Sequence, residues 1–116
     1  MLTFEIFDSL NNVNVNIYVG QNSTDNWKIF DNAKQNDIWF HLNSFSSPYV
    51  IINTLDYKSI SKEIHNYAAQ LCKEYSKMNK INNLCIIYTQ IGNLRKGVEI
   101  GSVIIKKNNL VEKIYL

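Results

Sequence analysis

Asp37, Trp39 and His41 alternate with Ile38, Phe40 and Leu42 in the stretch "NDIWFHL". Alternation is the strand period, so one face receives three apolar side chains and the other receives a carboxylate, an indole and an imidazole. An Asp-Trp-His row has three candidate chemistries: binding a metal, assisting a nucleophile, or stacking on and hydrogen-bonding a flat ligand. A metal fits poorly. Asp37 and His41 lie four residues apart on a strand, roughly 13 Å between Cα atoms, and no close Cys or His spacing elsewhere supplies ligands. Catalysis fits little better: His41 would have to serve Cys85 or Ser47, and the chain has no G-x-S-x-G elbow. Gly92 and Gly97 make neither a dinucleotide-binding nor a P-loop fingerprint. Neither a metal nor a cofactor is therefore expected.

Stacking fits the residue types. If "NSFSS" is a five-residue loop between "DIWFHL" and a returning strand "PYVIIN", Leu42 pairs with Pro48, His41 lies opposite Tyr49 and Trp39 opposite Ile51. Left open to solvent, Trp39, His41 and Tyr49 form an aromatic platform of the kind that holds nucleobases. Covered by a helix, Trp39 is instead a core residue with His41 and Asp37 at its rim.

A second group of residues is cationic. The 116-residue chain has a net charge of +2, which hides an asymmetry. Up to Lys58 there are three Lys and six acids (−3), and from Ser59 onward nine Lys or Arg and four acids (+5). Arg95 and Lys96 are adjacent in the loop "QIGNLRKG", where neighbouring cations suit phosphate contacts, and Thr89 just before it offers a hydroxyl. Lys77 and Lys80, with Lys73, gather at the end of a helical pattern, a place cations also favour for helix-dipole reasons.

The elements that must position these residues follow from periodicity. "LTFEIFD" and "VNVNIYVG" flank Asn11-Asn12 as an opening hairpin. A short helix is predicted over about 23–34, capped by Ser23 or Thr24, with Trp27 and Phe30 on one side. A long helix is predicted over about 59–78, because Ile60, Ile64, Tyr67, Ala68, Leu71 and Tyr75 fall at helical spacing, with Ser59 as cap. "NNLCIIYT" reads as a central strand, and "SVIIKK" and "LVEKIYL" around Asn108-Asn109 as a closing hairpin. The expected fold is α+β, a mostly antiparallel sheet built from hairpins, in a single domain spanning 1–116. No segment has the roughly 20 apolar residues of a membrane span, and "MLTFEIFDSL" carries acids where a signal peptide is apolar, so a cytoplasmic protein is expected. Cys72 and Cys85 read as small buried apolar residues.

Taken together, "IYVG" at Ile17 to Gly20, "DIWFH" at Asp37 to His41, "SSPYVII" at Ser46 to Ile52, "KMNKINNLCIIYT" at Lys77 to Thr89, "NLRK" at Asn93 to Lys96 and the later Gly101-Ser102-Val103 come in a recognisable order. That order resembles the NFACT RNA-binding domain (NFACT-R) family, in particular the branch of coiled-coil domain-containing protein 25. This sequence stops at Leu116, where that branch continues into a coiled coil.

The resemblance implies a non-catalytic nucleic-acid-binding module that contacts RNA, with larger members acting on stalled ribosomal subunits and their peptidyl-tRNA. Ribosome-associated quality control, with ribosome or tRNA as partner, is the expectation carried over. The alternative is a module that docks on a ribosomal or scaffold protein. The family's signature falls on Asp37, Trp39, Phe40, His41, Tyr88, Thr89, Leu94 and Lys96. Two positions depart from it, with Tyr49 where a His is usual and Asn53 where an Arg is frequent. The residues expected to bind nucleic acid are thus Arg95, Lys96, Trp39, His41, Tyr49, Thr89, Lys77 and Lys80.

Overall fold

The computed structural model describes every residue, Met1–Leu116. Eight strands and two helices follow in the order β1 (Leu2–Asp8), β2 (Val13–Val19), α1 (Ser23–Asn32), β3 (Ile38–Leu42), β4 (Val50–Ile52), α2 (Lys62–Glu74), β5 (Cys85–Gln90), β6 (Leu94–Lys96), β7 (Val103–Ile105) and β8 (Glu112–Tyr115). Six strands form an antiparallel sheet in the order β1-β2-β4-β3-β5-β8, and β6 and β7 pair as a separate ribbon. The fold is α+β, as the periodicity predicts. No helix is long and apolar enough to cross a membrane.

Alternation along the strands divides the interior into two cores. Phe40, Leu42, Val50, Ile52, Val15, Ile17 and Val19 point to one side of the sheet, where Ile64, Ala68, Ala69, Leu71 and Cys72 of α2 meet them. Ala68 and Ala69 are fully buried, and their small side chains let the helix approach the strands closely. Trp39, Tyr49, Ile51 and Ile87 point to the other side, covered by Ile29 of α1 and Leu94 of β6, with Val103 and Ile105 of β7 packed against them. The register between β3 and β4 is the expected one, with Trp39 opposite Ile51 and Phe40 opposite Val50.

Four local expectations change. The long helix is shorter than predicted, Lys62–Glu74, because Ser61 rather than Ser59 caps it by accepting from the Ile64 N–H. Ile60 is buried, and the Ser59 carbonyl accepts from Asn11, so neither is free to join the helix. The short helix ends at Asn32, and its cap is Asn22, whose Oδ1 accepts from the Asp25 N–H at 2.8 Å. The strand after the "NSFSS" loop begins at Val50, since the Tyr49 N–H donates to Asn26 Oδ1.

The closing hairpin does not form: β7 turns back onto β6, and β8 crosses to pair with β5. Buried Asn93 holds the crossing, donating to the Lys107 carbonyl at 2.9 Å and accepting from the Lys107 N–H at 3.0 Å. These contacts fix "KKNNL" as a turn against the end of β5 instead of a link between paired strands.

Phe40 is fully buried and stacks on Tyr88, with centroids 5.0 Å apart. Phe40→Ala is expected to cost about 3–5 kcal/mol by opening a cavity under α2. Phe7→Ala, at a side chain 56% exposed, should stay within about 0.5 kcal/mol. Urea midpoints measured on both variants check this, and similar losses in the two would contradict the assignment of the core.

Candidate nucleic-acid interface

β3 places Trp39 and His41 on the same face, two residues apart, and their rings stack with centroids 5.2 Å apart and planes 17° from parallel. Tyr49 meets both edge-on, at 5.6 Å from Trp39 and 5.8 Å from His41. The three rings therefore come together as the pairing of β3 with β4 requires. They do not form an open platform: Trp39 is 2% and Tyr49 1% exposed. The cover is α1 and the β6-β7 ribbon, whereas the long helix lies on the opposite face.

The Tyr49 hydroxyl donates to the Gly101 carbonyl, and burial pushes its pKa up to about 12. Gly101 sits at φ +89, and a Cβ there would lie 2.7 Å from that of Ser23, so only glycine suits this contact between ribbon and helix.

His41 is the half-open member of the cluster. Its Nδ1 lies 2.7 Å from the Leu42 carbonyl, which can only accept, so Nδ1 carries the proton and Nε2 of the neutral ring is an acceptor. Burial lowers its pKa from the ordinary 6.5, against the raising effect of that carbonyl. The Trp39 indole N–H is buried without a hydrogen-bond partner.

Two signature residues serve the framework. Asp37 accepts from the Lys34 N–H at 2.9 Å, the Thr54 N–H at 3.1 Å and the Thr54 hydroxyl at 3.2 Å, tying the end of α1 to the end of β4. Thr89 is buried, donating to the Leu110 carbonyl at 3.0 Å and accepting from Asn93. Neither its hydroxyl nor the rings of Trp39 and Tyr49 meet solvent, which corrects the expectation of an exposed set.

The cations separate into engaged and free. Arg95 and Lys96 belong to β6, not to a loop. Lys96 Nζ lies 2.6 Å from the Asp31 carboxylate and 4.6 Å from the Trp27 ring centroid, while the Trp27 indole donates to the Ser102 carbonyl. Lys96 thereby clamps the ribbon onto α1. Arg95 is exposed and forms no ion pair. Lys77 and Lys80 are exposed beyond α2. They follow the helix that packs on the far face of the sheet from the ribbon, so nothing groups them with Arg95.

Lys106 and Lys107, which sequence reasoning left out, line a cavity of about 430 Å³ with Gln35, Asn36 and Gln90. Only their adjacency signalled them. Lys113 is also exposed, on β8, where pairing with β5 and not with β7 places it at the edge of the large sheet.

A family model described as "NFACT protein RNA binding domain" matches residues 3–107. Coiled-coil domain-containing protein 25 of Danio rerio is 34% identical over 95 residues, covering 75% of this chain and 45% of that protein. Its counterpart in Mus musculus is 29% identical over 109 residues, covering 89% of this chain and 52% of that protein. The chain thus spans about half the length of the curated relatives it matches. Among solved structures, the C-terminal part of the fibronectin/fibrinogen-binding protein from Streptococcus suis superposes with a TM-score of 0.81 at 22% identity, over 100% of this chain and 45% of that one.

The depressed pKa of His41 has a thermodynamic consequence. As pH falls from about 6.5 through the lower folded value, the unfolded chain takes up a proton that the folded chain refuses, so stability declines across that window. Above it the contribution is constant. Stability of His41→Gln should therefore decline less steeply below about pH 6.5 than that of the native chain. Urea midpoints recorded against pH check this; parallel curves for the two proteins would refute it.

Proposed function

The chain belongs to the NFACT RNA-binding domain family, and from that premise we propose that it is a non-catalytic nucleic-acid-binding module whose ligand is RNA. The observation that carries this reading is the family match over nearly the whole domain. The distribution of charge supports it: only Lys34 and Lys96 of the 12 Lys and Arg residues are in ion pairs, leaving Arg95, Lys106, Lys107 and Lys113 available to phosphates. In this reading the protein works with the ribosome or with tRNA in quality control of stalled translation, as the family resemblance implies.

The chemistry around His41 supports a role without catalysis. Ser47 Oγ accepts from the Leu42 N–H and donates to the Pro48 carbonyl. Cys85 is half-buried against the cluster around Trp39 and makes no hydrogen bond to His41. Neither is an activated nucleophile.

A second reading, docking on a ribosomal or scaffold protein, has one observation in its favour. Val98 is fully exposed and Ile100 is 62% exposed at the tip of the ribbon, an apolar pair suited to a protein groove.

Titration against a structured RNA, a single-stranded RNA and duplex DNA at two salt concentrations separates the readings. Nucleic-acid binding should weaken with salt, with a log-log slope of roughly 0.7–0.9 per phosphate contacted. Arg95→Glu and Lys107→Glu should weaken all sequences alike. Lys96→Glu is a poorer probe, because it also places a second acid beside Asp31 and loosens the ribbon. Absence of binding at low salt would overturn the proposal and leave protein docking.

A further inference from the structure

The cover over the Trp39 face is incomplete. Paired residues of adjacent antiparallel strands share a face, so His41 on β3, Ile87 on β5 and Lys113 on β8 form one row across the sheet. In the next row, Cys85 pairs with Tyr115. At about 4.8 Å per strand, Lys113 stands roughly 10 Å from His41 and Tyr115 lies two residues further along the same edge. Tyr115 is 56% exposed and Lys113 is exposed. His41 itself lines a cleft of about 410 Å³ together with Phe45, Tyr49 and Val103. Phe45, on the loop between β3 and β4, is 42% exposed at that cleft.

We propose that this cleft, bordered by His41 and Phe45, takes up one unstacked nucleobase of a single strand, whose backbone runs on toward Lys113 and Tyr115 at the β8 edge. This rests on the nucleic-acid reading and deepens it. The occupant is argued from what lines the site. The volume lies at the small end of the roughly 300–1,000 Å³ typical of small-ligand sites. His41 Nε2 is an acceptor held in place by the Nδ1 contact to Leu42 and by stacking on Trp39, a fixed partner for an exocyclic amino or ring N–H group. Phe45, exposed in the cleft wall, supplies a ring on which a flat base can stack, and Lys113, two strands from His41, is a cation within reach of the backbone phosphates beside that base. Duplexes keep their bases stacked inside, so the site discriminates against them.

The test compares three RNA ligands: a short single strand, the same strand with its bases removed, and its duplex. The base-bearing strand should bind about tenfold more tightly than the abasic strand, since each stacked base is worth that order of affinity. Phe45→Ala, at an exposed side chain and so expected to fold, should remove most of that advantage while binding of the abasic strand stays as it was. Phe7→Ala, at the far edge of the sheet, should change neither. The His41 imidazole resonances should shift with the base-bearing strand only. Equal affinity for base-bearing and abasic strands, or a preference untouched by Phe45→Ala, overturns the nucleobase site while leaving salt-dependent RNA binding intact. No binding to any of the three ligands at low salt overturns the nucleic-acid reading itself, and this proposal with it.

Discussion

A strand that carries Trp39 on one side and Phe40 on the other has to be covered twice. On the Phe40 side the cover is a single regular element, α2, whose apolar stripe and paired alanines pack against the strands. On the Trp39 side the cover is assembled from two short pieces, α1 and the β6-β7 ribbon, and neither is large enough to bury much by itself. They hold together through a few directed contacts: Tyr49 to Gly101, Trp27 to Ser102, and Lys96 to Asp31 and the Trp27 ring. The hydroxyl of Tyr49 and the backbone freedom of Gly101 meet where ribbon, helix and sheet converge, so the burial of Trp39 depends on both.

This division explains what could be read from the sequence. The α2 side was legible because its signals are periodic: strand alternation through Ile38, Phe40 and Leu42, and helical spacing through Ile64, Ala68 and Leu71. The register of β3 against β4 was legible because a short loop leaves few alternatives, and the family was legible from the order of its motifs. The Trp39 side was not. Its cover comes from short elements brought together by contacts distant in sequence, such as residue 27 with 102 and residue 31 with 96. Periodicity carries no trace of such pairings. The partner of β8 was missed for a related reason. Proximity in sequence favours a hairpin, but Asn93 and Thr89 capture the intervening backbone and send the strand to the other side of β5.

The same contacts redistribute the roles of the charged residues. Arg95 and Lys96 look alike as neighbours in "NLRK", yet strand alternation sends them to opposite sides of the ribbon. Lys96 points to α1, where a carboxylate and an indole ring receive it, and its charge is largely spent on the fold. Arg95 points away, opposite Ile104, and its guanidinium remains available. A signature position can thus be structural while its neighbour is the one able to meet a ligand. Asp37 makes the same point, since a carboxylate that satisfies two backbone N–H groups and a hydroxyl has little left to offer a ligand.

The boundary between framework and interface follows from where the cover stops. Just before β8, Val111 packs against the cluster around Trp39, whereas Lys113 and Tyr115, on β8 itself, are exposed. Across β3, Trp39 is sealed and His41, two residues on, is not. The stacked rings of Trp39 and His41 therefore straddle the edge of the cover, with Trp39 supporting His41 from beneath. An imidazole fixed on one side by an indole and at Nδ1 by a carbonyl has lost most of its freedom before any ligand arrives, so little further ordering is needed to bind. The buried ring of Trp39 matters to recognition because it is inaccessible: it sets the position of the one neighbour that solvent can reach.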